Sequence, residues 1–261
     1  MSGQIATATS DGTLRVSISN PGKRNALTVA MWEELTRIFT DASTRDDLRC
    51  VILRGEGHDA FSAGADISEF EATRATREQV IRFHEDCVGL ALSTIADCPV
   101  PVIAQITGAC MGGGLEIITA CDLRLCGESA RFGAPVGRLG FPLALGETEA
   151  LFILVGAAVA AELLIEGRIL TAREAYDRRL ATRVVPDARL EAEVEAARQN
   201  IAAGSPVAAR LHKRQLRRLI TNPAPVTREE RLEMYRFVDS EDYRIGYRAF
   251  LEKKTPQFVG R

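Results

Sequence analysis

The sequence predicts an α/β protein whose first half alternates short strands with helices and whose second half is mainly helical. Apolar runs that fit buried strands, such as CVILRG and VIAQITG, alternate with helical patterns in the first half. From about Gly146 onward, helical segments follow one another and glycines separate them. No low-complexity linker interrupts the chain.

The individual elements follow from local patterns. Two alternating runs flank Asp11-Gly12, a dipeptide that accepts the positive φ of a tight turn, and so predict a β-hairpin. Thr28 is predicted to cap a helix that ends near Ala42. GEGHDAFSAGADI is interpreted as a loop between elements. The remaining predictions are strands at CVILRG, VIAQITG, LRLCG and RVVP, a helix over 77–96, and a short helix that begins near Leu115.

Composition restricts the class of protein. The chain has 261 residues, 46% of them hydrophobic and 26% charged, and a net charge of -2, which does not favour a nucleic-acid partner. No apolar run is expected to reach the roughly 20 residues of a membrane span, and no signal peptide is evident, so a cytoplasmic location is expected. The six cysteines form no CxxC pair and are predicted to be reduced and mostly buried. The three histidines share no metal-ligand spacing, so no metal site is expected.

Three consecutive glycines, Gly112 to Gly114, lie between a predicted strand and a helix. Glycine allows another molecule to approach the backbone closely, and a helix start leaves N–H groups unpaired. This combination suits an anion or a developing oxyanion, and Glu116 follows in the first helical turn. The same pattern also fits close helix–strand packing with an ordinary N-terminal helix charge.

A second small-residue loop, AFSAGADISEF, also follows a buried strand. In a parallel sheet, both loops would lie at the same edge, where two N–H donors could converge on one oxygen. Apolar neighbours of Glu116, among them Leu115 and Ile117, would raise its pKa into the range that general acid–base catalysis needs.

With these motifs in place, the chain resembles the crotonase superfamily, the enoyl-CoA hydratase/isomerase family. The similar segments are AFSAGADI, ITGACMGGGLEIITACDLRL, ARFGAPVGRLGFP and RILTAREAYDRRLATRVVP, in that order along the chain. The resemblance implies a spiral of β-β-α units with a helical C-terminal region. It implies an acyl-CoA-binding and catalytic core over 1–200, an oligomerisation region over 201–261, and a trimer or dimer of trimers.

The resemblance also implies roles for individual residues. The N–H groups of Ala65 and Gly113 would form an oxyanion hole for the thioester carbonyl of an acyl-CoA, and Glu116 would move a proton. CoA would arrive as part of the substrate, without a separate cofactor. Lys253 and Phe258 belong to a segment that often reaches CoA in a neighbouring subunit. The implied CoA-binding residues are Lys23, Arg24, Ala26, Ala63, Asp66, Lys253 and Phe258, and the implied acyl pocket contains Val136, Phe141 and Leu143.

The sequence departs from the family pattern at Val136, where the hydratases carry a second glutamate. Leu143 and Leu145 replace small residues nearby and are expected to reshape the acyl pocket. The most direct hypothesis is that Glu116 alone supports either a hydratase reaction, which is a lyase activity, or an isomerase reaction. A second is that another group completes the site for decarboxylation, thioester hydrolysis or C–C cleavage; the candidates are Arg138, Glu147 and Glu149.

A third hypothesis is a weakly active CoA-binding relative, or one that binds RNA. The segment HKRQLRR would place Lys213, Arg214, Arg217 and Arg218 on one helical face. The chain is negatively charged overall and the segment has no interleaved aromatic residues, so nucleic-acid binding is not favoured.

Overall fold

A computed structural model describes residues 3–261 and contains two sheets. The larger sheet has the strand order β1-β2-β3-β5-β7-β10. Its first two strands form the predicted antiparallel hairpin, and the other neighbours pair in parallel. Its strands are β1 (Gln4–Ser10), β2 (Thr13–Ser19), β3 (Cys50–Gly55), β5 (Val102–Ile106), β7 (Leu123–Gly127) and β10 (Arg183–Val185).

The smaller sheet consists of four short strands in the order β4-β6-β8-β9. Their bounds are Ala60–Ser62, Ala109–Met111, Arg131–Gly133 and Leu170–Thr171. The sequence interpretation missed these strands because segments of two or three residues carry no measurable alternation. Each long strand β3, β5 or β7 is followed by a short strand of the second sheet and then by helical structure, which is the β-β-α repeat that the resemblance implied.

Helices cover the sheets and make up the C-terminal region. The hydroxyl of Thr28 accepts a hydrogen bond from the Met31 amide at the start of α1, as predicted. The predicted helix over 77–96 is present as a continuous helical run that includes a π-helical segment, Arg82–Gly89. The α-helices are α1 (Val29–Ser43), α2 (Phe70–Thr73), α3 (Arg77–Ile81), α4 (Leu90–Asp97), α5 (Gly113–Thr119), α6 (Leu145–Ala161), α7 (Ala172–Asp177), α8 (Asp187–Ala202), α9 (Pro206–Thr221), α10 (Arg228–Met234) and α11 (Glu241–Leu251).

The main core contains large side chains from both sheets and from the helices around them. Trp32, Phe39, Phe61 and Phe132 are among its largest fully buried members. Burial of such side chains contributes about 1.5–3 kcal/mol each before conformational entropy is subtracted. All six cysteines are free thiols, and five are buried, as expected from the sequence. This core holds the loops that follow β3 and β5 in fixed positions.

Helix α6 contradicts the expectation that no apolar run is long enough to cross a membrane. Together with the following π-helical turn it spans Leu145–Glu166, 22 residues with a mean hydropathy of 2.0. The helix is broken at Gly156, whose φ is 78° and ψ 169°. An interrupted backbone is unfavourable in lipid because the freed polar groups have no partner. Length and composition alone are therefore weak evidence for a membrane span here.

Candidate active site

The two predicted oxyanion loops contact each other directly. A Cβ placed on Gly64 would lie 3.0 Å from the carbonyl oxygen of Met111 and 3.6 Å from the Cα of Gly112. Gly64 and Gly112 each precede a predicted donor, Ala65 and Gly113 respectively. The fold therefore brings the two predicted donor segments together, and only residues without side chains fit at this contact.

Local structure leaves both predicted donor amides available. Helix α5 begins at Gly113, after Gly112 with a left-handed φ of 46°. The Gly113 and Ala65 amides have no backbone acceptor among residues 3–261, whereas neighbouring Asp66 donates to the Leu27 carbonyl at 2.8 Å. The first N–H groups of a helix lack intrahelical partners, which is the usual basis of an anion-binding helix start.

Glu116 lies in the first turn of α5 and is only 9% exposed. Burial raises the pKa of its carboxyl well above the usual value, and the nearby charge of Glu147 raises it further, while Arg74 lowers it. A carboxyl group that stays protonated near neutral pH can act as a general acid.

Glu147 supplies a second buried carboxylate near Glu116. It lies in the first turn of α6 and is 4% exposed. Its Oε1 is 2.8 Å from Nδ1 of His84, and its Oε2 accepts a hydrogen bond from the Ala144 amide at 2.9 Å. Arg138 and Glu149, the other downstream candidates, are exposed. Val136 is half-buried and packs against the main core.

The sequence interpretation missed an aromatic and cationic group beside these carboxylates. The guanidinium carbon of Arg74 lies 4.0 Å from the ring centroid of Phe70 and 3.5 Å from that of Phe83. Phe70 in turn packs edge-to-face against Phe141, with ring centroids 5.8 Å apart. Phe70 lies only four positions before Arg74, whereas its contact with Phe141 joins distant parts of the chain.

The three predicted acyl-pocket residues do not share one environment. Leu143 is buried, whereas Phe141 and Val136 are half-buried. Leu145 is 85% exposed at the first position of α6, and its expected effect on the acyl pocket stays a prediction.

Five of the predicted CoA-binding residues lie around the first loop. Nζ of Lys23 is 2.7 Å from Oδ2 of Asp66, and the amide of Ala63 donates to the Arg24 carbonyl at 2.9 Å. Ala26 is buried directly before Leu27, whose amide donates to Gly64. The segment 23–27 is thus locked against the loop that carries Ala65.

Lys253 and Phe258 lie elsewhere in the chain. Nη2 of Arg49 donates to the Phe258 carbonyl at 3.2 Å, and Phe258 packs against Gly246 of α11. Arg49 precedes β3, whereas the first oxyanion loop follows that strand, so the two regions are at opposite ends of the strand. The structure does not bring Lys253 or Phe258 to the site of their own chain.

The basic segment of α9 is largely neutralised within the chain. Nζ of Lys213 is 2.7 Å from Oδ2 of Asp122, and Nε of Arg217 is 2.8 Å from Oδ1 of Asp97. Arg218 pairs with a glutamate of α10. These pairs leave no continuous cationic face on the helix, in contrast to the sequence pattern. Within the described part of the chain, no three His, Cys, Asp or Glu side chains lie close enough to hold a metal ion.

Comparison with known proteins agrees with this architecture. The family model described as enoyl-CoA hydratase/isomerase matches residues 8–261. The chain therefore belongs to the enoyl-CoA hydratase/isomerase family, within the crotonase superfamily. The mixed α/β fold with its parallel sheets is the crotonase fold, as the resemblance implied.

Individual relatives are similar over nearly their whole length. A crystal structure of an enoyl-CoA hydratase/carnithine racemase from Magnetospirillum magneticum has a TM-score of 0.96 and 41% identity, covering 98% of this chain and 96% of that one. An enoyl-CoA hydratase from Bacillus anthracis has a TM-score of 0.86 and 33% identity, covering 98% and 99%. The 2,3-dehydroadipyl-CoA hydratase of Escherichia coli K12 is 30% identical over 251 residues, 95% of each chain.

Proposed function

We propose that this protein is an acyl-CoA enzyme of the hydratase or isomerase type that acts through a thioester enolate. The observation that carries the proposal is the contact between the two glycine-containing loops next to buried Glu116. Family membership supports an enzyme acting on an enoyl-CoA. A hydratase would be a lyase, and the alternative double-bond shift would make it an isomerase.

The oxyanion hole is the first part of the proposed mechanism. The amides of Ala65 and Gly113 would donate hydrogen bonds to the thioester oxygen and stabilise its developing negative charge. Loss of one such donor typically costs about 2.7–4 kcal/mol of transition-state stabilisation. CoA would enter as part of the substrate, bound by the segment around Lys23, and no separate cofactor is proposed.

The two buried carboxyls form the second part. Burial raises the pKa of Glu116, and the nearby charge of Glu147 raises it further, so Glu116 would hold the proton that a general acid donates. In hydration, the oxygen of a water molecule would bond to carbon three of the enoyl group while Glu147 accepts a proton from that water. Glu116 would donate a proton to carbon two. Glu147 thereby takes the place of the glutamate that Val136 replaces.

The buried acid–base pair favours this reaction over the other hypotheses. Decarboxylation, thioester hydrolysis and C–C cleavage need the enolate site but have no specific support from these contacts. RNA binding is disfavoured because Lys213, Arg217 and Arg218 already pair with carboxylates.

Association into a trimer or dimer of trimers is also part of the proposal. Leu145 and Ile165 around α6 are 85% and 87% exposed, and Phe250 and Leu251 of α11 are 83% and 74% exposed. Exposed apolar surface of this kind marks interfaces. The contacts would involve the region 201–261, as expected, and also α6 of the core 1–200. A cytoplasmic location remains a prediction.

Turnover of crotonyl-CoA tests the proposal. The conjugated enoyl absorbance is followed for the native protein and for Glu116→Gln, which keeps the size of the side chain but removes the titratable proton. We expect hydration by the native protein and its loss in the variant. A folded protein that binds CoA thioesters but leaves this absorbance unchanged would contradict hydratase activity.

A further inference from the structure

Arg74 is a cation of the candidate site that has no direct polar partner at its Nε atom. That atom is buried, and no hydrogen-bond acceptor for it exists among residues 3–261. Glu116, Glu147 and Glu69 attract the guanidinium electrostatically, without a hydrogen bond. Leaving a buried donor unpaired destabilises the folded protein, and the penalty is larger when the donor belongs to a charged group.

Two of the three neighbouring carboxylates, Glu69 and Glu147, have hydrogen-bond partners of their own. Oε2 of Glu69 accepts a hydrogen bond from the Val29 amide at 2.8 Å, and Glu147 is held by His84 and Ala144. Burial lowers the pKa of Arg74, which shows that its surroundings disfavour the charge. An anion that reaches the guanidinium would remove this penalty.

Aromatic rings fix the guanidinium in position. Its carbon lies 4.0 Å and 3.5 Å from the ring centroids of Phe70 and Phe83. Aromatic rings that stack on a guanidinium cover the faces of its plane. The edge of the plane, which carries the N–H groups, can then bind a carboxylate with two parallel hydrogen bonds. Such preorganisation reduces the entropy lost on binding.

The position of Arg74 indicates that it would contact the acyl part of the ligand rather than the CoA part. Phe70 packs against Phe141 of the predicted acyl pocket, and Phe83 packs against His84, the partner of Glu147. The CoA-binding prediction instead concerns the segment around Lys23, whose amine is held by Asp66. A purely aliphatic acyl chain would leave Nε of Arg74 without a hydrogen-bond acceptor.

We propose that Arg74 binds a carboxylate at the end of the acyl chain, so that the preferred substrates are CoA thioesters of dicarboxylic acids. This inference rests on the proposed acyl-CoA function. It adds a specificity residue to the site, next to the two carboxyls that would carry out the proton transfers.

Calorimetric titration with adipyl-CoA and hexanoyl-CoA tests this specificity without any turnover. The two saturated thioesters have the same number of carbons and differ by a terminal carboxylate in place of a methyl group. We expect the native protein to bind adipyl-CoA at least about tenfold more tightly, the scale of a hydrogen bond to a charged group. In Arg74→Gln this ratio is expected to fall close to one.

Arg77→Gln provides the matched control, since Arg77 is an exposed arginine three positions further along. It should retain the native ratio. Arg74→Met, whose flexible apolar chain can lie between the two rings, serves as a second variant if the glutamine variant does not fold, with the same expected loss of preference.

The outcomes separate this inference from the proposed function. Equal binding of the two thioesters by the native protein would overturn the role of Arg74 and leave the acyl-CoA function standing. An unchanged ratio in a folded Arg74 variant would also overturn it. If neither thioester binds, both the acyl-CoA function and the inference are wrong.

Discussion

Nδ1 of His84 lies 2.8 Å from Oε1 of Glu147, although the two residues are 63 positions apart. The contact joins the π-helical segment Arg82–Gly89 to the first turn of α6. It holds near Glu116 the carboxylate of Glu147, one of the three residues that the sequence analysis named as candidates to complete the site. The candidate site thus has two carboxyls, but the second comes from a different element than in the family pattern.

The role of Glu147 is tested by Glu147→Gln. The amide keeps the shape and can still accept the hydrogen bond from the Ala144 amide, but it cannot accept a proton from water. We expect kcat for crotonyl-CoA hydration to fall roughly 10²–10⁴-fold, the usual contribution of a general acid or base.

Glu149→Gln is the control for this prediction because Glu149 is an exposed glutamate of the same helix. It should retain native kcat. Native activity in the Glu147 variant would mean that Glu116 suffices, which was the most direct hypothesis from the sequence.

The raised pKa of Glu116 predicts a pH dependence of stability. The carboxyl binds its proton more tightly in the folded state than in the unfolded state, because burial disfavours the charge. The contribution of protonated Glu116 to the free energy of unfolding is therefore fully present below the pKa of the unfolded state. It is lost as the pH rises towards the pKa of the folded state. Between these values the free energy of unfolding should fall by about 1.4 kcal/mol per pH unit.

Glu116→Gln removes this titration. In urea unfolding at fixed protein concentration, its free energy of unfolding relative to the native protein should increase from pH 4.5 towards pH 8. Glu149→Gln, at an exposed position, should show no such trend. A constant difference between native protein and Glu116→Gln across this range would contradict a raised pKa.

Local signals predicted the parts of the structure that depend on neighbouring residues. The hairpin at Asp11-Gly12 and the cap at Thr28 occur as expected, because a turn and a helix cap are determined by a few adjacent residues. The two glycine-containing loops were expected at the same edge of a sheet, and Gly64 of the first loop does lie against Met111 and Gly112 of the second.

Long-range contacts could not be predicted in this way. His84 lies on an ordinary helical pattern, and only the fold brings it to Glu147. Phe70 lies in the same short segment as Arg74, but the second ring, Phe83, comes from the following π-helical segment. The cationic pattern at HKRQLRR was misleading because the carboxylates that pair with it come from other elements.

Lys23→Met tests whether the first segment binds CoA. The Lys23 side chain is 48% exposed, so its pair with Asp66 is expected to contribute little to stability. A cation that contacts only the nonreacting nucleotide provides uniform binding, which affects KM and leaves kcat unchanged. We expect KM for crotonyl-CoA to rise roughly three- to tenfold, since solvent weakens such contacts. Lys23→Arg should restore most of the affinity. A fall in kcat at native KM would instead indicate a role in positioning the loop.

The oxyanion assignment is tested by comparing Gly113→Pro with Gly113→Ala. Both variants add a Cβ that would lie 2.9 Å from Cζ2 of Trp32, so alanine reproduces this part of the steric cost of proline. Only proline also removes the N–H group, and proline is tolerated at the first position of a helix. The alanine variant therefore controls for the Cβ contact with Trp32.

We expect kcat/KM for crotonyl-CoA to be a further roughly 10²–10³-fold lower in the proline variant than in the alanine variant, the effect of losing one oxyanion donor. Circular dichroism and adipyl-CoA binding establish that both variants are folded. If two folded variants have the same kcat/KM, the Gly113 amide does not bind the thioester oxygen. The contact between Gly64 and Gly112 would then serve packing alone.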